Sequence, residues 1–151
     1  MKKYYYEFIG LNSRLDAIQA AVLNVKLDLI DEWNNKRRMI AKQYTTAFSD
    51  IFTLQSSPDY VNHVYHQYAI LTEEKIRNPL LKFLKKNNIE AGIYYPLPLH
   101  LQDAFSKYMI NKGDLPISES ISKKIISIPI FPEMEQKQID FVIECVKLFF
   151  K

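Results

Sequence analysis

The chain has 151 residues, 48% of them hydrophobic and 25% charged, which suits one globular domain with a real core and leaves little length for a second complete one. Its single cysteine, Cys145, excludes an intramolecular disulfide framework and a multi-cysteine zinc site and makes the cytoplasm the expected compartment. Twenty Lys+Arg against 17 Asp+Glu leave a net charge of +3, too small a surplus for a typical nucleic-acid reader.

The amino terminus, residues 1–7, carries positive charge but no apolar run of signal-peptide length. Apolar stretches elsewhere are broken every few residues, far short of the ~20 apolar residues of a spanning helix. Leu15, Ile18, Val22, Val25 and Leu29 then recur at steps of three and four, the stripe of an amphipathic helix. Ser13 is the expected N-cap, with Asp16 favouring the positive end of the helix dipole. Ala17, Ala20 and Ala21 keep one side of this helix thin. Helical character continues through Trp33, Met39, Ile40, Tyr44 and Phe48, with a bend expected at Asn34-Asn35. That length reads either as a connector or dimer arm or as a bent pair of ordinary helices. The clusters Lys36-Arg37-Arg38, Lys85-Lys86 and Lys123-Lys124 fall in helical segments with acidic neighbours and read as solvated faces.

Residues 55–59 form a loop by composition, and 64–71 are rich enough in aromatic and branched residues for a strand. A helix is expected over 79–87, with Pro79 in its first turn. Residues 89–95 read as a second strand, ended by Pro96-Leu97-Pro98. A short helix over 101–108, a turn at 111–114 and a helix over 118–124 lead to a third strand, 125–130. The last helix, 135–150, carries Ile139, Val142, Ile143, Val146 and Phe149 inward. The fold class is therefore α/β with an α+β-like small domain, in which a long N-terminal helical segment precedes a three-stranded sheet covered by helices. A division into a helical connector or dimer segment, 1–50, and a small C-terminal domain, 51–151, follows.

Spacing alone assigns no chemistry. His63 and His66, three apart at a strand entry, face opposite ways, and Cys145 sits among Ile143 and Val146 as a small hydrophobe. No catalytic or metal-ligating residue is identified. Two segments stand out. Tyr94-Tyr95-Pro96-Leu97-Pro98-Leu99-His100 places three hydrogen-bonding rings at a strand end, where they either contact a ligand or pack. Asn12 and Arg14, just before the first helix, offer an amide and a guanidinium suited to a phosphate or carboxylate, or else cap the helix and decorate its surface.

Taken together, residues 10–21 (Gly10-Leu11-Asn12-Ser13-Arg14-Leu15-Asp16 and onward) with Asp31-Glu32-Trp33-Asn34 and Lys36-Arg37-Arg38, then residues 92–102, then Gly113-Asp114-Leu115-Pro116, Ser118-Glu119 and Ile128-Pro129-Ile130-Phe131-Pro132-Glu133 resemble, in order, the C-terminal part of the DegT/DnrJ/StrS sugar aminotransferases. The resemblance implies a fold type I architecture, the cofactor pyridoxal phosphate (PLP), a homodimer, and transfer of an amino group from glutamate to a nucleotide-linked keto sugar in polysaccharide or amino-sugar biosynthesis. It implies that Asn12 and Arg14 reach the cofactor phosphate of a partner subunit and that Tyr94, Tyr95 and His100 lie near the sugar nucleotide. Many relatives carry His where this chain has Tyr94. The form Asn12-Ser13-Arg14-Leu15-Asp16 resembles enzymes of dTDP-linked deoxy sugars. The family keeps its imine-forming lysine on a large N-terminal domain that the resemblance does not extend to, and Lys2-Lys3-Tyr4 resembles the stretch just upstream of the Gly-Leu-Asn block. The expectation is a C-terminal piece, inactive alone and not binding PLP alone. The alternative is a non-catalytic interaction module that retains the fold.

Overall fold

The computed structural model describes residues 3–151, so Lys2 of the stretch singled out above lies outside the described residues. Five helices and three short strands follow one another as α1 (Ala17–Leu27), α2 (Ile30–Phe48), β1 (Thr53–Leu54), β2 (Tyr68–Leu71), α3 (Glu74–Lys86), α4 (Pro116–Lys124), β3 (Ile125–Ile128) and α5 (Gln136–Phe149). Two 3-10 turns, Leu99–Leu101 and Asp103–Tyr108, stand in place of the helix expected over 101–108. Pro98 directly ahead of the first, and the extended backbone of Gln102 between the two, keep them apart.

The strands form one antiparallel sheet in the order β1-β2-β3, with Tyr68 opposite Ile128 and Leu71 opposite Ile125. Its third strand is not the one expected. Residues 89–95 touch the sheet only at Gly92, whose N–H and C=O exchange hydrogen bonds of 2.9 and 2.8 Å with Ser127. The outer position on the other side goes to Thr53–Leu54, which pairs with Leu71 and Ile70. The expected strand over 64–71 contracts to its last four residues because Tyr65 adopts φ +46°, outside the extended region. Pro129 ends β3 at Ile128, since a proline offers no ladder donor.

The helices start elsewhere than expected for local reasons. Asp16, not Ser13, caps α1, its carboxylate accepting the Gln19 N–H at 2.8 Å. The break in the long helical run falls at Asp28-Leu29 rather than at the asparagines. Asn34 and Asn35 are absorbed into α2 because their side chains accept from the Arg37 and Arg38 guanidiniums, one turn on, instead of competing for the backbone. The helix expected to begin at Pro79 begins at Glu74. Pro79 is exposed there, and the one bond it removes would have reached a carbonyl in the first turn. At α5 a capping box joins Glu135 and Gln138 reciprocally.

Alternation along β2 turns Tyr68 and Ile70 inward, where they meet Tyr44 and Phe48 of α2, Leu80 and Leu84 of α3, Ile126 and Ile128 of β3, and Ile139, Val142, Cys145 and Val146 of α5. The core thus takes in the C-terminal half of α2. The Tyr44 hydroxyl, deep in it, donates to the Pro129 carbonyl at 3.0 Å, and the Tyr68 hydroxyl pairs with Thr45 at 2.8 Å. Helix α1 behaves oppositely. None of its residues is buried, and Ile18 is 80% exposed on the apolar stripe. No helix among the described residues is long and apolar enough to cross a membrane.

Candidate functional site

The segment from Gly92 to Gln102 leaves the sheet edge and turns back beneath the chain's entry segment. Gln102 organises the crossing. Its side chain is buried, its Oε1 accepts the Tyr6 N–H at 3.0 Å, and its Nε2 donates to the carbonyls of Tyr4, at 3.0 Å, and Leu97, at 3.4 Å. The Ala104 N–H adds a bond to the Tyr6 carbonyl at 3.0 Å. Residues 4–6 are thereby strapped to the proline-framed turn.

That strap brings three rings together. Tyr4 meets Tyr94 edge-on at 5.9 Å between centroids and Tyr95 at 5.3 Å, and Tyr94 meets Tyr95 at 6.0 Å, distances at which ring quadrupoles attract in T-shaped pairs. The Lys3 ammonium lies 5.0 Å from the centre of the Tyr4 ring, a cation–π contact. Tyr94 folds back over Gly92 so closely that a Cβ there would lie 2.7 Å from its ring. Tyr94 forms part of the wall of two clefts. One, of about 750 Å³, is lined also by Tyr4, His66, Lys85, Glu90 and Ser127. The other, of about 430 Å³, runs past Tyr6, Tyr95, Pro98, Gln102 and Ile121. Tyr95 is 57% exposed.

His100 belongs to a different arrangement. Its side chain is 5% exposed, and its Nε2 lies 3.1 Å from Oε1 of Glu119, itself 12% exposed, on α4. The same Glu119 oxygen accepts the Gly113 N–H at 2.7 Å. These donors, Gly113 foremost and then His100, hold the carboxyl below its ordinary range against the opposing effect of its partial burial. Gly113 suits its place, with φ +102° in a turn where a side chain would be strained. The three rings of the 94–100 segment are therefore not brought together as one set: Tyr94 and Tyr95 line clefts, whereas His100 pins the turn to α4.

Asn12 and Arg14 sit in the exposed stretch ahead of α1, and neither makes a hydrogen bond or ion pair with the rest of the described chain. An unpaired amide and guanidinium beside a helix start fit an anion such as a cofactor phosphate. They supply one edge of such a site. None of the described lysines is buried, so no amine here is desolvated in the way an imine-forming lysine needs. Among the described residues no group of three His, Cys, Asp or Glu side chains is placed to hold a metal ion. His63 and His66 lie in the loop before β2, where the His63 Nδ1 accepts the Tyr65 N–H at 2.9 Å.

Two residues that sequence reasoning left without a role are Gln102 and Glu119. Gln102 stood inside the quoted 92–102 motif, and a buried amide directly after a turn was the available signal. Glu119 stood in the Ser118-Glu119 pair of the last resembling block, but nothing local pointed to its role, because its partners come from residues 100 and 113.

The fold and the 10–21 and 92–102 segments are those of an aminotransferase: the chain matches the DegT/DnrJ/EryC1/StrS aminotransferase family over residues 1–147 and belongs to it, a family that depends on PLP. Among its relatives, the chain is 40% identical to the pleiotropic regulatory protein of Geobacillus stearothermophilus, the match covering 99% of this chain and 41% of that protein. It is 37% identical to the dTDP-3-amino-3,6-dideoxy-alpha-D-galactopyranose transaminase of Aneurinibacillus thermoaerophilus, over 98% of this chain and 40% of that one. Among solved structures it superposes on a DegT DnrJ EryC1 StrS aminotransferase from Brucella abortus with a TM-score of 0.83 at 38% identity, covering 93% of this chain and 37% of the other. S. venezuelae DesV gives 0.85 at 33% identity, covering 98% and 40%. The architecture is that of the C-terminal region of fold type I aminotransferases. The chain spans about two fifths of the length of these relatives.

Proposed function

We propose that this chain is the C-terminal part of a PLP-dependent aminotransferase that moves an amino group from glutamate to a nucleotide-linked keto sugar, and that it is inactive without the remaining part. The observation that carries this reading is the pair Asn12 and Arg14, exposed and unpaired at the start of a helix whose apolar stripe nothing in the described chain covers. Such a stripe is suited to a second subunit, which leaves the two donors on the edge turned to that subunit's cofactor. In this reading α1 and the start of α2 act as connector and dimer arm, and the C-terminal half of α2 joins residues 51–151 in the small domain beside the substrate.

PLP, when bound, supplies the electron sink for the transfer. This chain's residues bind and orient. Asn12 and Arg14 hold the phosphate end through an amide N–H and the guanidinium. Tyr94 and Tyr95 border the space for the sugar nucleotide, while His100, committed to Glu119, keeps the turn that carries them in place.

The test is a chimera in which residues 1–151 replace the corresponding part of the A. thermoaerophilus transaminase. Retained PLP absorbance and amino transfer from glutamate, both lost on Asn12→Ala with Arg14→Ala, are expected. A folded chimera whose cofactor binding ignores those two substitutions overturns the roles assigned to them. For the isolated chain, borohydride reduction after incubation with PLP should leave only scattered labelling, whereas one stoichiometric adduct would show a cofactor site of its own.

A further inference from the structure

We propose that the groove between α2 and the 55–67 loop binds a diphosphate group. Arg38 and Lys42 stand one turn apart on α2 and line a groove of about 330 Å³ with Thr46, Ser57, Asn62 and His63. Each of these six can donate, the Ser57 hydroxyl already doing so to the Val61 carbonyl at 3.5 Å; Thr45, Val61 and Tyr65 complete the lining, and no carboxylate is among it. Of the neighbouring cations, Lys36 pairs with Glu32 at 2.6 Å, while Arg37, like Arg38, meets only a neutral asparagine amide one turn back. Lys42 has no partner within the described chain, and Arg38 meets only the neutral Asn35 amide. Two like charges at this spacing oppose helix formation, a cost that a bridging anion reverses.

The facing loop supports the same conclusion. β1 and β2 are antiparallel neighbours, which a turn of about two to five residues can join. The chain spends residues 55–67 instead and lays Ser57, Asn62 and His63 against α2. Acceptance of the Tyr65 N–H by the His63 Nδ1 leaves Nε2 to carry the ring proton as a further donor. Cβ atoms one turn apart on a helix are roughly 5–6 Å from each other, a span suited to the outer oxygens of a diphosphate, and the groove is larger than a single phosphate fills. The site lies on side chains other than those of the Tyr94 clefts and stands independently of the transfer reaction.

The test is an amide NMR titration of the 151-residue chain, at fixed ionic strength, with inorganic pyrophosphate, inorganic phosphate and uridine diphosphate. Saturable shifts confined to residues 38–46 and 57–65 are expected for pyrophosphate. They should weaken at least tenfold in Arg38→Gln/Lys42→Gln, the scale of one lost charge-assisted bond, while the spectrum elsewhere stays unchanged and certifies the fold. Uridine diphosphate binding as tightly as pyrophosphate assigns the site to the diphosphate alone, and tighter binding adds the nucleoside. Shifts that do not saturate, that survive the double substitution, or that match those of inorganic phosphate overturn the proposal. Uridine diphosphate shifts at Tyr94 and Tyr95, with none in the groove, overturn it too while leaving the aminotransferase reading intact.

Discussion

Gln102 holds Tyr6 by the backbone: its Oε1 accepts the Tyr6 N–H at 3.0 Å while its Nε2 takes the carbonyl of Tyr4, two residues earlier. One side-chain amide thus does for residues 4–6 what a neighbouring strand would do. Gln102→Leu keeps the volume and removes all three bonds, at a cost of about 2–3 kcal/mol because the backbone groups it served lose their partners. The urea midpoint should fall accordingly, and the Tyr6 amide should exchange with solvent faster than those of β2 and β3.

Acidification should loosen the turn after Tyr95. Glu119 titrates below its ordinary value of 4.5 through the Gly113 N–H and His100. A carboxylate lowered by folding contributes stability that is complete above the unfolded value and is lost as pH falls through the folded one. The urea midpoint of the native chain should therefore drop on going below about pH 4.5, and Glu119→Gln should flatten that part of the profile. Equal slopes in the two proteins would show that the latch contributes nothing.

Tyr44 gives the opposite sign. Burial, with Tyr68 nearby, pushes its hydroxyl well above the ordinary value of 10.0, so the folded state keeps a proton that the unfolded chain loses. Stability is complete below that value and declines as pH rises past it. Tyr44→Phe removes the bond to the Pro129 carbonyl at a cost of about 1–2 kcal/mol near neutrality. The variant should also lose part of the alkaline decline, as measured by denaturation at successive pH values.

Gly92→Ala separates stability from shape. The new methyl would lie 2.7 Å from the Tyr94 ring, whose far end can swing aside. Stability should change by less than about 1 kcal/mol, while the Tyr94 ring resonances shift and the contact with Tyr4 loosens. Unchanged ring resonances would mean that the backbone at 92 yields instead.

Leu15→Asp, just ahead of α1, and Val22→Asp, on its stripe, both replace exposed apolar side chains. Each should leave the denaturation midpoint within about 0.5 kcal/mol of the native value and abolish self-association in sedimentation velocity. Retained association would place the contact on another face.

What the sequence disclosed follows from how local each cause is. The 3.6-residue stripe of α5 and the aromatic and branched run 68–71 were legible because the pattern and its reason lie in the same dozen residues. The edge strand Thr53–Leu54 was not, since two residues carry no periodicity and are extended only because Leu71 and Ile70 lie beside them. Residues 89–95 misled in the opposite direction: branched and aromatic residues promise a ladder, yet Tyr94 turns back over Gly92 and the pairing stops at one bridge. In the candidate site, Asn12, Arg14, Tyr94 and Tyr95 were visible as motif residues. The commitment of His100 to Glu119 was not, because it depends on how the 100–119 segment closes.

Cys145 gives the molecule an internal clock. It is the sole thiol, it packs in the core on α5, and burial raises its pKa, so little of it is thiolate at neutral pH. Its small exposed fraction lies in the wall of a surface cleft with Asn87, Phe141 and Leu148, so a thiol reagent meets it slowly until α5 lifts. The rise of the reaction rate with urea measures how often this helix leaves α2 and α3 without the whole chain unfolding.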